Sequence, residues 1–278
     1  MKVAIQGIKG SFHDIVARQF FGNDIELVEC LSFAKIPVLL KNKQVDSAVM
    51  AIENSIAGAI LPNYALIDEY DLNIKGEVFL NIHHHLMALK GQKLEDIKEV
   101  WSHPMAILQC RKYFRNHPNI KLIEEKDTAE VAKIIQNKKL KGIAAIASKE
   151  ASQLYNLEVL ADDIQTIKYN STRFFILEKE KNNSLNQIEE LQNKVSIKFI
   201  TKHETGSLAE VLDIFAKHDI SLTKIQSLPK IDEPWKYSFF IDLIFEDKTL
   251  YNNAIHLINK KVKHLKILGE YSQNTTEK

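Results

Sequence analysis

The stretch Asn170-Ser171-Thr172-Arg173-Phe174 leads directly into the apolar run at 175–177, and the rest of the chain is interpreted outward from it. Its threonine hydroxyl can donate one hydrogen bond without carrying charge. Its arginine is always charged, and the planar guanidinium matches a carboxylate. Because both residues stand at the start of a predicted buried strand, the stretch suits a small anionic substrate that loses an oxygen leaving group. Taken alone, it also fits an ordinary strand start with a surface arginine.

Upstream of this stretch, predicted strands alternate with predicted helices. Strands at 2–6, 25–30 and 46–52 are each followed by a helical or helix-capping segment. Such alternation indicates a parallel α/β fold, in which ligands bind at the carboxyl ends of the strands. The same rhythm restarts after residue 76, so we expect two lobes, one of about residues 1–75 with 160–178 and one of 76–159.

Polar residues and glycines recur where these strands end. A glycine turn before a helix leaves backbone N–H groups that can hold an anion, although a plain tight turn explains that segment equally well. A helix cap explains one residue of the triplet at 53–55 but not readily all three. We therefore predict one cleft lined by these side chains and loops: Gly10, Ser11, Glu53, Asn54, Ser55, Ser102, His103, Gln109, Asn170, Thr172, Arg173 and Phe174.

The C-terminal part has a rhythm of its own. Residues 179–193 are polar and read as a linker between domains. Beyond them, predicted strands at 195–200, 220–227, 235–245 and 264–269 enclose two helices. The resulting order, βαββαβ, is that of a ferredoxin-like sandwich.

Composition narrows the class of protein. The chain has 278 residues, with 37 Lys+Arg against 36 Asp+Glu, so no global field attracts nucleic acid or an anionic membrane. No apolar run approaches the length of a membrane span. Cys30 and Cys110 form neither a metal-ligand spacing nor a disulfide framework, which favours a cytoplasmic protein.

Metal and cofactor chemistry are not expected. The triplet at 83–85 is all histidine, but consecutive strand residues alternate faces, so the three cannot bind one metal together. The glycine turn at 7–11 lacks the third glycine of a dinucleotide fingerprint, which excludes NAD.

Five segments, in this order and spacing, resemble the prephenate dehydratase family, and they cover nearly the whole chain. The family's glycine loop is similar to residues 7–12, with Ile8 in place of the usual proline. Its Pro-Ile-Glu-Asn-Ser segment is similar to 51–55, and its Ser-His-Pro-Gln-Ala segment to 102–106, where Met105 replaces the glutamine. The threonine-arginine-phenylalanine motif matches residues 172–174, and the C-terminal part resembles an ACT domain.

The resemblance implies a two-lobed catalytic region like a periplasmic binding protein at 1–178, a linker at 179–193 and an ACT domain at 194–271. It implies a carbon–oxygen lyase that converts prephenate to phenylpyruvate, water and carbon dioxide in phenylalanine biosynthesis. The length leaves no room for a chorismate mutase or dehydrogenase extension, so we expect a monofunctional member.

Regulation by L-phenylalanine and assembly as a homodimer or homotetramer are also implied. The effector would bind between a segment of one ACT domain, Gly206, Ser207 and Leu208, and a segment of its neighbour, Gln226, Ser227, Leu228 and Pro229. Many relatives have Glu-Ser-Arg-Pro in the second segment, so the contacts to the effector would differ here.

Dehydration of prephenate requires a hydrogen-bond donor and groups that bind carboxylates. Prephenate has two carboxylates and a ring hydroxyl that leaves as the ring carboxylate departs as carbon dioxide, so a hydrogen-bond donor is needed but no strong base. We predict that Thr172 donates to the departing hydroxyl and that Arg173 binds a carboxylate. Asn54, Ser55 and the backbone at 10–11 would supply neutral donors, while Glu53 would orient them.

Two alternatives stay open. An arogenate or cyclohexadienyl dehydratase would use the same site, because the amine-for-keto difference between arogenate and prephenate could rest on one contact. A non-catalytic small-molecule sensor would also have two lobes and an ACT domain, but it would need no hydroxyl donor.

Overall fold

The computed structural model describes residues 1–179, 192–202, 204–229, 233 and 236–274. The first elements are β1 Lys2–Gln6, α1 Phe12–Phe21, β2 Glu26–Cys30, α2 Lys35–Lys41, β3 Ser47–Asn54, β4 Gly58–Ala59, α3 Leu61–Glu69 and β5 Asn73–Asn81. They are followed by β6 His85–Ala88, β7 Glu99–Ser102, α4 Pro104–Gln109, α5 Arg111–Phe114, β8 Lys121–Glu124, α6 Thr128–Lys138, β9 Ile143–Ala147, α7 Lys149–Leu154, β10 Glu158–Ala161 and β11 Ser171–Glu178. The last are β12 Lys194–Ile200, α8 Ser207–Lys217, β13 Ser221–Pro229, β14 Tyr237–Ile244, α9 Lys248–Lys261 and β15 His264–Tyr271.

The first sheet has the strand order β2-β1-β3-β11-β5, with β4 paired to β3. β1 is parallel to both β2 and β3, and its residues Val3, Ala4 and Ile5 are fully buried. A strand that is covered on both faces has a continuous run of apolar residues, and such a run at 3–5 made β1 recognisable in the sequence.

The beginning of β11 lies beside the end of β3. The backbone N–H of Ser55 donates to the carbonyl of Ser171 at 2.8 Å, and the N–H of Ser171 donates to the Ser55 hydroxyl at 3.0 Å. The polar triplet at the end of β3 therefore meets the polar start of β11, which places Asn54 next to Thr172.

The second sheet has the order β10-β6-β9-β7-β8. β7 is parallel to β8 and β9, whereas β6 is antiparallel to β9 and β10. The central strand β9 alternates between two cores, with Ala145 and Ala147 in one and Ala144 and Ile146 in the other. The α/β class predicted from the sequence is confirmed, and its second sheet is mixed rather than wholly parallel.

The third sheet has the order β13-β14-β12-β15, and its paired strands are antiparallel. With α8 and α9 it gives the predicted βαββαβ order, around a core that includes Phe199, Phe215 and Tyr251. The third of the four predicted strands was expected to begin at 235, which lies outside the described residues, as does 180–191 of the predicted linker.

The described chain forms two compact units, one of Met1–Ala59 with Phe79–Phe174 and one of Ile60–Val78 with Phe175–Lys278. In the second unit the buried Lys194 Nζ lies 2.7 Å from the Glu77 carboxylate, whose side chain is fully buried. A Cβ added at Gly269 would lie 2.0 Å from the carbonyl oxygen of Ile74. Residues 60–78 are thus packed on β12 and β15, within this second unit.

No helix among the described residues is long and apolar enough to cross a membrane.

Candidate active site

Asn54 fixes the direction of a hydrogen-bond network at the end of β3. Its side-chain oxygen accepts from the backbone N–H groups of Ile56 at 3.0 Å and Ala57 at 2.9 Å. Its side-chain nitrogen must therefore face the other way, and it donates to Asn170 Oδ1 at 2.7 Å and to Thr172 Oγ1 at 2.9 Å.

The Thr172 hydroxyl accepts the Asn54 hydrogen bond, so its own proton is left to donate. The side chain is buried, at 8% exposure, and no acceptor for that proton is found in the described part of the chain. A hydroxyl that accepts one hydrogen bond from an amide is polarised and becomes a better donor. The site thus offers one neutral donor beside β3.

The network continues through two more amides. Asn170 Nδ2 donates to Gln109 Oε1 at 3.0 Å, and the same oxygen lies 2.8 Å from His84 Nε2. Because the Gln109 oxygen faces these two partners, both hydrogens of its amide nitrogen are available to a ligand. Hydrogen bonds thereby connect Gln109 and Asn170 to Asn54 and Thr172.

His84 was not predicted as a site residue. It is 3% exposed, and burial lowers its pKa to about 4, against a smaller opposing effect of the Gln109 hydrogen bond, so the ring is neutral at pH 7. Its two neighbours in the chain face elsewhere, with His83 Nδ1 2.6 Å from Asp163 and His85 Nδ1 3.0 Å from Asp162. His83 and His84 precede β6, which begins at His85, so strand alternation does not separate His84 from the other two.

Gly10 and Ser11 have their N–H groups engaged inside their own loop. Gly10 N donates to Asp14 Oδ2 at 2.8 Å, and Ser11 N donates to the carbonyl of Ile8 at 3.0 Å. Gly10 has φ +88°, a left-handed conformation that favours glycine. The backbone donors predicted for a substrate anion are therefore occupied by the Asp14 side chain and the turn.

Arg173 and Phe174 follow Thr172 on β11. Adjacent residues of a strand face opposite sides, so Arg173 leaves β11 on the side away from the Thr172 hydroxyl. The Arg173 guanidinium carbon lies 5.8 Å from the centroid of the Phe79 ring, and the side chain is buried. Phe174 is 1% exposed and packs edge-on against the His13 ring at 5.0 Å. Phe174 therefore lies in the core, and the Arg173 guanidinium lies beside the Phe79 ring.

The remaining predicted residues have structural contacts. Ser102 is fully buried and donates to the carbonyl of Ile146 at 2.7 Å, so it ties β7 to β9. His103 caps α4 by accepting the Met105 N–H at 3.2 Å, and burial lowers its pKa. Glu53 pairs with Ala59 across β3 and β4. Of these residues, none touches Thr172 through a hydrogen bond in the described chain.

The C-terminal unit has a separate cavity. It measures about 480 Å³ and borders Gly206, Ser207 and Leu208 at the start of α8. The second predicted effector segment, Gln226 to Pro229, lies on β13, at the edge of its sheet.

The part of the chain that the structure describes contains no group of three or more His, Cys, Asp or Glu side chains arranged to hold a metal ion. The network of Asn54, Asn170, Gln109 and Thr172 consists of neutral amides and one hydroxyl.

Two family models match successive parts of the chain. The prephenate dehydratase family model matches residues 3–182, and the ACT domain model matches residues 195–249. A bifunctional chorismate mutase/prephenate dehydratase of Aquifex aeolicus is 33% identical over 98% of this chain and 73% of its own length. Arogenate dehydratase 2 of Petunia hybrida is 35% identical over 99% of this chain and 72% of its own length.

Two solved structures share the fold over nearly the whole chain. One is described as GqqA, a novel type of quorum quenching acylase, and it superposes with a TM-score of 0.88 at 25% identity, covering 99% of both chains. The other is a prephenate dehydratase of Arthrobacter aurescens in complex with L-Phe, with a TM-score of 0.83 at 24% identity, covering 98% of this chain and 90% of its own.

Proposed function

The chain belongs to the prephenate dehydratase family and converts prephenate to phenylpyruvate, and we propose that Thr172 donates the hydrogen bond that lets the substrate hydroxyl depart. The reaction breaks the C–O bond of the ring hydroxyl and the C–C bond to the ring carboxylate. The electron pair of the broken C–C bond stays with the ring and completes its aromatic system. The hydroxyl leaves as water, with one proton supplied by the solvent. A donor at the leaving oxygen is thus the main chemical requirement.

The observation that carries this proposal is the 2.9 Å hydrogen bond from Asn54 Nδ2 to Thr172 Oγ1. It makes the threonine an acceptor toward the protein and a donor toward a ligand. A positioned donor of this kind contributes roughly 10²- to 10⁴-fold in rate.

Gln109 is proposed as a second donor to the substrate. Its oxygen is held by Asn170 and His84, and its amide nitrogen carries two hydrogens that can bind a carboxylate oxygen or the leaving oxygen. Asn54 and Asn170 act mainly by fixing the orientations of Thr172 and Gln109. Arg173, Glu53, Ser55, Ser102, His103, Gly10, Ser11 and Phe174 would support the site through the strand and loop contacts described above.

The test is formation of phenylpyruvate, followed by its ultraviolet absorbance, from prephenate and the purified protein. We expect steady turnover. Binding of prephenate without turnover would instead assign the protein to the sensor class.

Arogenate is the second candidate substrate, favoured by the similarity to arogenate dehydratase 2 of Petunia hybrida. The same assay with arogenate, read as phenylalanine formed, gives a second kcat/KM. We expect the value for prephenate to be the larger, and the reverse ratio would make the protein an arogenate dehydratase.

We propose that L-phenylalanine regulates the enzyme through the ACT domain, at the cavity beside Gly206, Ser207 and Leu208 and the 226–229 segment of a neighbouring copy. Support comes from the ACT match and from the solved prephenate dehydratase described in complex with L-Phe. Measuring kcat/KM for prephenate at increasing L-phenylalanine concentration tests this regulation, and an activity that does not change would contradict it. Size-exclusion chromatography with light scattering tests the proposed dimer or tetramer, and cell fractionation tests the proposed cytoplasmic location.

A further inference from the structure

We propose that His84 is a positioning residue of the dehydratase site, where its Nε2–H holds the Gln109 carbonyl oxygen and so presents the Gln109 amide hydrogens to the substrate. This inference rests on the proposed function. It adds a residue outside the motifs that carry the family resemblance, and it assigns that residue a tautomer and a partner.

The tautomer follows from the far end of the network. The Asn54 oxygen is fixed by two backbone N–H groups, so its nitrogen donates to Asn170 Oδ1. The other end of the Asn170 amide is then a nitrogen, which requires an oxygen on Gln109 at 3.0 Å. That same oxygen is 2.8 Å from His84 Nε2, and two acceptors cannot share a hydrogen bond, so Nε2 must bear a proton.

The other contacts of His84 keep its imidazole ring neutral and fix its orientation. Nδ1 is buried, and no hydrogen-bond partner for it is found among the described residues. The Phe12 ring meets the imidazole edge-on with 5.8 Å between centroids. The backbone on both sides is also held, because His84 N donates to Gln165 Oε1 at 3.0 Å and Ile164 N donates to the His84 carbonyl at 2.9 Å. One nitrogen therefore has a single assigned role, as a donor to Gln109.

Without the Nε2–H, one acceptor site of the Gln109 oxygen is empty and the amide can rotate. We expect His84→Leu to lower kcat/KM for prephenate about tenfold, the effect of losing one hydrogen bond of ordinary strength. His84→Gln should recover most of this loss, because its side-chain amide can donate to the same oxygen. His83→Leu is the matched control, since His83 is exposed and pairs with Asp163 instead.

A double-mutant cycle separates positioning from general structural damage. In a Gln109→Ala background the same His84→Leu change should cost less than about twofold, because its partner is already gone. An equal loss in both backgrounds would overturn the proposal. Thermal unfolding of each variant shows whether it is folded before it is assayed.

A second readout does not depend on activity. Nitrogen-15 NMR of the imidazole in the folded wild type should show the Nε2–H form at pH 7, and Gln109→Ala should shift the Nε2 signal. The Nδ1–H form, or no response to Gln109→Ala, would refute the proposal even in a fully active enzyme. An inactive wild type with the predicted NMR signals would instead count against the proposed function alone.

Discussion

Replacing Asn54 by aspartate reverses one hydrogen bond without changing the shape of the side chain. One carboxylate oxygen would still accept from Ile56 and Ala57. The other would stand where the nitrogen is now, 2.9 Å from Thr172 Oγ1 and 2.7 Å from Asn170 Oδ1. The threonine would then donate its proton to the new carboxylate and would no longer have it for the substrate.

The size of the effect follows from the new bond. A hydroxyl bound to a carboxylate gains about 1.5–3 kcal/mol, which must be given up before the proton can serve the substrate. This corresponds to a loss of about 10- to 150-fold in kcat. The facing Asn170 oxygen and the partial burial both favour the neutral acid, so the pKa of the new carboxyl group should be raised. A protonated acid donates as the amide does, and activity should recover as the pH falls.

The assay is steady-state kcat with prephenate for Asn54→Asp and wild type between pH 5 and pH 8. Asn116→Asp is the control, because it makes the same chemical change at an exposed position. Urea unfolding of each protein shows that the change in kcat is not a loss of folded protein. A variant with wild-type kcat at pH 7 would refute the assigned direction of the Asn54–Thr172 hydrogen bond.

Three further predictions concern stability. Lys194→Met leaves the buried Glu77 carboxylate without this ion pair and should lower the free energy of unfolding by about 3–5 kcal/mol in urea titrations, whereas a loss below 1 kcal/mol would contradict the burial argument. The pKa of His84 is about 4 in the folded chain and 6.5 when unfolded, so the unfolded state binds the proton first as the pH falls. The free energy of unfolding should therefore drop by about 2 kcal/mol between pH 7 and pH 5. His84→Gln should remove this part of the pH dependence, and an unchanged pH dependence in the variant would contradict the assignment. Gly269→Ala brings a Cβ to 2.0 Å from the Ile74 carbonyl oxygen and should lower the free energy of unfolding by about 3 kcal/mol or more. An unchanged melting temperature would show that β15 can move away from β5 without loss of stability.

The parts of the site that could be predicted are those that depend on chain order. Asn54, Asn170 and Thr172 stand at the ends of strands, and strand ends are visible as a change from apolar to polar residues. Gln109 follows one turn into α4, after the strand β7. The meeting of Asn54 with Thr172 requires only that β3 and β11 be neighbours in the sheet, whereas Gln109 reaches Asn170 from α4.

The parts that were missed depend on which way a side chain faces. Thr172 and Arg173 are adjacent on one strand, and the period of two already rules out a shared face. Ser11 caps α1 by accepting the Asp14 N–H, and the Asp14 carboxylate in turn accepts the Gly10 N–H, a contact that depends on the direction of the Asp14 side chain. His84 could not be found from the sequence, because its partner is 25 residues away on a different element.

The most direct measurement is kcat with prephenate for two variants of Thr172. Thr172→Ser keeps the hydroxyl and loses one methyl group, whereas Thr172→Val replaces the hydroxyl by a methyl group at nearly constant volume. If this hydroxyl hands its hydrogen to the departing oxygen, the serine variant keeps most of its turnover and the valine variant loses about 10²-fold or more. A folded valine variant that turns over as fast as wild type would contradict the account.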